Sequence, residues 1–374
     1  MEQFYQGSKD VFLVGVRADF DAVEDQAVKA VSSLEKNGLL KTDVNTDGLF
    51  TQVSNVTSEG NRAVWRNTSV TGLKELGTRI AGGKYPTGEF IRGWETVVVD
   101  PNLQDAAEIP VPEERLDAEG SQYKDALNRA QKLVIESRRK NMGDPFDVFN
   151  MAFTAPASFP VTRFVGKGNQ GLDGNLTALN EKLVTTSHKI AMTAAAPSAG
   201  GSNGVVNSGN WAAFNDTYYY AAIEQAAGFV DDVNKPMPMF GGMVTVVLPQ
   251  ANSLARTAQE INKSDWKVGT ANNEVNVMQS SMGRIITSPY LTNSINFGTT
   301  ANSQNKKWFI VDTATQDPQV GTGLVRVCFV PTNSKVERYN ESDALVYKLK
   351  QSYAYVFTDW RNVIGSLGDG TSAS

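Results

Sequence analysis

The sequence predicts an α+β protein, and three observations predict it. Helix-type and strand-type patterns are intermixed without the regular alternation that builds a parallel βαβ sheet. One amphipathic pattern, at about 114–142, is much longer than an ordinary globular helix. From residue 244 on, short apolar runs of strand length follow one another to residue 357. At 374 residues, with 41% hydrophobic and 20% charged side chains, the chain is long enough for one elaborate domain or two to three smaller ones.

Residues 1–49 hold one helix pattern, about 19–37, with Val23, Ala27, Ala30, Val31 and Leu34 at helical spacing and Gly38 as its stop. The rest of this segment is rich in Asp, Asn and Thr and reads as an arm that docks elsewhere. A short strand pattern covers 50–56. A polar stretch follows, with strand-like 65–70 and 89–99 flanking the tip Gly82-Gly-Lys-Tyr-Pro-Thr-Gly88. Apolar residues are sparse there until Val97-Val98-Val99, so a protruding hairpin is expected. The long helix carries the stripe Leu116, Tyr123, Leu127, Ala130 and Val134. Glu113, Glu114, Asp117 and Glu119 stand at its start and Arg138, Arg139 and Lys140 near its end, which suits the helix dipole. Gly143 and Pro145 are expected to stop it, leaving about 27 residues and roughly 40 Å of length.

Next come a strand-like 161–165, glycine-rich turns, a helix pattern at 176–192, a Gly/Ser/Asn loop, and a helix pattern at 214–230 with the run Tyr218-Tyr219-Tyr220. The C-terminal series is Val244–Pro249, a helix at 251–261, then Met282–Leu291, Lys307–Asp312, Gly323–Val330 and Lys335–Tyr339. A long strand to Phe357, the turn Asp359-Trp360-Arg361 and a Gly/Ser tail complete it.

Site chemistry is thin. Cys328 is the single cysteine and lies in an apolar run, which excludes an intramolecular disulfide and a multi-cysteine zinc site. His188 is the only histidine, in an expected helix, and a catalytic imidazole would need an orienting partner. Gly166-Lys-Gly-Asn-Gln-Gly171 matches the dinucleotide fingerprint, but the helix after it leads into a loop, not a second parallel strand. The acid pairs Glu113-Glu114 and Asp231-Asp232 read as solvated structural residues, because neighbours on a helix do not face one another. A net charge of −5 does not suit a protein that grips phosphates. No run approaches a membrane span and Met1–Gln6 does not resemble a signal peptide, so folding in a reducing cytoplasm is expected. No catalytic, cofactor-binding or metal residue is assigned.

The order of these segments resembles the major capsid proteins of tailed bacteriophages, the family with the HK97 fold. The resemblance implies an N-terminal arm (1–49), a peripheral-domain strand (50–56) and an extended loop (57–96). It then implies a peripheral domain with its spine helix (97–165, helix 114–142), an axial domain (166–329), and returning peripheral strands with a tail (330–374). It implies a non-enzymatic structural protein that self-assembles into pentamers and hexamers of an icosahedral head enclosing double-stranded DNA. The partners it implies are further copies, a portal protein, a separate scaffolding protein, a cement or decoration protein, and DNA held by weak non-specific contact. The place it implies is the virion, with assembly in the host cytoplasm. Lys84, Tyr85, Arg92, Trp94, Trp360 and Arg361 are the expected inter-subunit contacts. Segment 145–175 is longer and richer in Phe and Pro than in the simplest members, as an insertion would be. The strand 344–357 holds neither asparagine nor glutamate, so Lys–Asn crosslinking of subunits is not expected. Three other readings compete: an encapsulin-type shell around an enzyme cargo, a tail or adhesion protein, and a Rossmann-like nucleotide-binding enzyme.

Overall fold

The computed structural model describes residues 22, 25, 48–59, 62–70, 92–100, 105–112, 121–153, 162–166, 177–179, 182–186, 188, 206–230, 236–237, 239–250, 252–266, 275–291, 306–316, 323–339 and 344–371. The first elements are β1 (Thr51–Val53), β2 (Thr57–Glu59), β3 (Arg62–Val70), β4 (Arg92–Val99), β5 (Asp105–Pro112) and helix α1 (Ser121–Asn150). Next are β6 (Thr162–Gly166), β7 (Thr177–Leu179), α2 (Asp216–Ala226), β8 (Val244–Pro249), α3 (Asn252–Lys263) and β9 (Met282–Ser288). The last are β10 (Trp308–Val311), β11 (Leu324–Tyr339), β12 (Ala344–Phe357) and β13 (Val363–Ser366). The protein is mixed α+β, as its sequence pattern predicts. Of the helix expected at 19–37, only Ala22 and Asp25 are described; both are helical and exposed.

The chain divides into two compact units, 1–43 with 102–144 and 329–353, and 44–101 with 145–328 and 354–374. In the first unit β5 pairs antiparallel with β12, from Ala344↔Pro112 to Gln351↔Asp105. Ala130 and Val134 of α1 are buried while Arg129, Lys132 and Glu136 are not, which is the one-sided stripe expected of an amphipathic helix.

Helix α1 does not stop where the sequence says it should. It passes through Gly143 and Pro145 to Asn150. Proline removes one N–H from the helical ladder and costs about 3 kcal/mol in an interior turn. The turn it enters, however, holds Phe146, Val148 and Phe149, which are 0%, 1% and 0% exposed. Burying each such side chain is worth about 1.5–3 kcal/mol, so continuing the helix wins. Phe149 meets Phe309 at 5.1 Å and Phe50 at 6.2 Å between ring centres, and Phe50 meets Tyr355 at 5.3 Å. The Phe-rich start of the supposed insertion is therefore core.

The second unit contains a sheet of order β13-β10-β8-β9. Strand β10 is antiparallel to both β13 and β8, and β8 runs parallel to β9. A parallel pair needs a crossover, and α3 supplies it. Its Leu254, Ala258 and Ile261 are buried one turn apart while Arg256 and Gln259 face solvent. All six residues of β8 and all four of β10 are buried.

A five-stranded sheet, β2-β3-β4-β6-β7, is antiparallel throughout. Strands β3 and β4 are the two sides of the expected hairpin, paired from Val64↔Val99 to Val70↔Arg92. Its root buries Val64, Trp65, Thr96 and Val98, so this part is core and not a free extension. Strand β7, with Thr177–Leu179, replaces the first residues of the helix expected at 176–192, and 182–186 is non-helical. Leu183, Val184 and Thr185 are buried in succession. Of the glycine fingerprint only Gly166 is described; it ends β6 and pairs with Thr177 of an antiparallel strand, whereas a dinucleotide fold needs a parallel one.

Candidate functional site

The residues with most chemical potential gather around the turn Asp359-Trp360-Arg361. Asn207 is the hub, fully buried. Its Nδ2 donates to the carbonyls of Leu183 at 2.7 Å and Val363 at 2.8 Å, and to that of Trp360 at 3.3 Å. Its Oδ1 accepts the Thr185 N–H at 2.9 Å and lies 2.8 Å from His188 Nε2. Because Oδ1 is an acceptor only, the proton of that last bond belongs to Nε2, which fixes the imidazole's tautomer. The ring lies 3.8 Å from that of Trp360 and 3° from parallel. The Arg361 guanidinium is 4.6 Å from the Trp360 ring centre. Its Nε donates to the Val230 carbonyl at 2.9 Å, and its Nη1 lies 3.3 Å from Asp359.

This arrangement holds chain segments together. His188 is 2% exposed and spends its Nε2 proton on Asn207. Trp360 and Arg361, expected at a subunit contact, are both 4% exposed and sit inside the chain. A Trp-Arg pair beside a Gly/Ser tail looks like surface in the sequence, whereas here the stacking and the Val230 bond draw it inward. Asn207 was missed altogether, since an Asn beside a Gly/Ser loop carries no signal beyond that of a turn.

Lys84 and Tyr85 lie outside the described residues. Arg92 and Trp94 belong to β4, opposite Val70 on one side and Gly166 on the other. Among the described residues no three His, Cys, Asp or Glu side chains are grouped to hold a metal ion. Cys328 is buried, and burial holds the Lys307 ammonium below its ordinary range, with the Phe153 ring 5.8 Å away. No described helix is long and apolar enough to cross a membrane.

A second polar cluster ties the first unit together. The Gln351 side-chain oxygen accepts from Ser137 at 3.0 Å, Asn141 at 3.1 Å and Thr332 at 2.9 Å. Tyr353 OH accepts the Thr332 N–H at 3.0 Å. One buried amide thereby ties α1, β11 and β12. Its sequence signal was a polar residue following Tyr347 and Leu349 on the same buried alternation of β12.

Neither a family model nor a curated protein matches the chain. Solved structures do resemble it. The bacteriophage PhiM1 mature capsid aligns over 85% of this chain and 85% of its own, at 12% identity and a TM-score of 0.46. The capsid of cyanophage P-SCSP1u aligns over 85% and 86%, at 12% identity and a TM-score of 0.44. A virus-like particle from Pyrococcus furiosus aligns over 89% and 96%, at 10% identity and a TM-score of 0.38. At this level the likeness decides nothing about individual residues. These three solved structures are two phage capsids and a virus-like particle.

Proposed function

We propose that this chain is a shell-forming structural protein, the major capsid protein of a tailed-phage-type head. Copies would associate as pentamers and hexamers of an icosahedral shell around double-stranded DNA. The observation that carries the reading is the order and length of its elements. A hairpin, β3–β4, precedes a 30-residue helix, and the chain returns at the end through strands of 16 and 14 residues. A helix and two strands of this length suit a subunit that carries load. The hairpin's outer part and the arm would overlap neighbouring subunits, with Lys84, Tyr85, Arg92 and Trp94 as the proposed contacts. Many modest interfaces then add through multivalency. A portal, a separate scaffold and a cement protein are the proposed partners, with the virion as the proposed location.

Electron microscopy of the purified protein tests this. Closed shells or rings of five and six copies are expected, and a monomer at high concentration would refute it. The net charge of −5 also suits an encapsulin-type shell around an enzyme cargo. Purified particles containing a second protein and no nucleic acid would favour that reading. Boiled particles on a denaturing gel should give one band near 40.6 kDa, because β12 offers no asparagine for a covalent weld.

A further inference from the structure

Among the described residues, the large apolar side chains left in solvent are Met243, Trp266, Val275 and Val277, and three of the four lie on one short segment after α3. Trp266 and Val275 form an antiparallel bridge, which puts their side chains next to each other on one face. They are 54% and 69% exposed, and Val277 is 79% exposed. Asn276 between the two valines points the other way and is 4% exposed.

The described residues on either side of this knob are tied down. Asn276 Nδ2 donates to the carbonyls of Ile261 at 2.6 Å and Ser264 at 2.8 Å, closing the C-terminal end of α3. The Asn276 N–H donates to the Asp265 carbonyl at 3.1 Å, and Gln279 Nε2 donates to Asp265 Oδ1 at 2.6 Å. The Ser280 N–H reaches the Asn262 carbonyl at 2.9 Å. A buried asparagine is thus used to hold a tryptophan and two valines outward. Rigid, exposed aromatic side chains of this kind are characteristic anchors of protein interfaces.

We propose that this knob is a contact between two copies of this chain, pairing Trp266, Val275 and Val277 of one copy with those of another. Charge points to a second copy and not to another occupant. From 263 to 277 the sequence has two bases, Lys263 and Lys267, and two acids, Asp265 and Glu274; of these, Lys263 and Asp265 are described, and both are exposed. Their sum is zero, so neither a phosphate backbone nor an anionic lipid surface is attracted. Two identical patches aligned in opposite directions do complement each other, with Lys263 of one facing Asp265 of the other. The inference rests on the shell-forming reading only in that a shell brings many copies together.

The test is sedimentation velocity of the full chain over a concentration series, with electron microscopy of the same samples. Trp266→Ser and, separately, Val277→Asp should weaken self-association at least about tenfold while circular dichroism stays unchanged. Lys263→Asp and Asp265→Lys should each weaken it alone, and mixing the two variant chains should restore it. That rescue, seen without closed particles, would support the pairing while the shell reading fails. Particles forming at an unchanged threshold concentration in all four variants would overturn the pairing and leave the shell reading standing. A wild-type chain that stays monomeric throughout would overturn both.

Discussion

Gly368 has φ +75°, and a Cβ built there would sit 1.9 Å from the Lys306 carbonyl oxygen. Both the backbone and the space demand glycine, so Gly368→Ala should cost about 2 kcal/mol or more, read by urea denaturation. Asn207→Ala would remove the donor to the Leu183 and Val363 carbonyls and the acceptor of the Thr185 N–H and His188 Nε2; a loss of about 3–5 kcal/mol is expected in the same measurement. Tyr219 gives a pH prediction. Its ring is buried, and its hydroxyl, bonded to Ser281 at 2.9 Å, is pushed up to about 12, chiefly by desolvation. The unfolded chain ionises near 10 and the folded chain about two units later, so the unfolded state binds fewer protons between these values. Stability is therefore full below pH 10 and falls as pH rises toward 12, by up to about 2–3 kcal/mol. In Tyr219→Phe the part of the alkaline slope due to this group should vanish.

At the scale of elements, α1 separates two kinds of position. Phe149→Ala, at the buried end beyond Pro145, should cost about 3–5 kcal/mol, whereas exposed Arg129→Ala should stay within about 0.5 kcal/mol. Equal losses would contradict the burial pattern. The elements that sequence reading located well are those whose own residues decide them. Strands β8 and β10 are apolar runs bounded by turn residues, and α3 has a clean helical stripe. The elements it missed are decided by distant partners. Gly143-Asp-Pro145 reads as a stop until Phe50 and Phe309 are seen to enclose the next turn. Residues 177–179 follow a helical period, yet β6 recruits them as a strand. Val363–Ser366 is too short to show any period and becomes β13 only because β10 lies beside it. The buried positions of Trp360 and Arg361 were hidden for the same reason: His188, Phe229 and Val230 are far away in sequence.

For the whole molecule, the prediction concerns the loop between β3 and β4. Replacing 71–91 with a short Gly/Ser linker spares both strands of the sheet root. Thermal cooperativity should be retained while closed particles are lost. Loss of the folded monomer would place the loop in the core instead. A cut reaching into 62–70 would remove Val64 and Trp65 and confuse the two outcomes.

Strand β10 has a consequence for how the protein is made. It lies between β8 and β13, and the two Asn207 amide hydrogens go to the carbonyls of residues 183 and 363, with that of residue 360 at 3.3 Å. Synthesis runs from the N-terminus, so a sheet strand finished at residue 311 waits for residues 363–366 before its second edge is covered. Until then Trp308 to Val311 form an apolar template with an open flank, the kind of surface that chaperones hold. A ribosome stalled before residue 360 would release a chain that cannot complete this lock. Chains that stop short of residue 360 lack both this cover and the lock. Chains truncated after residue 359 should remain protease-sensitive and chaperone-bound, while chains extended to 371 should be released.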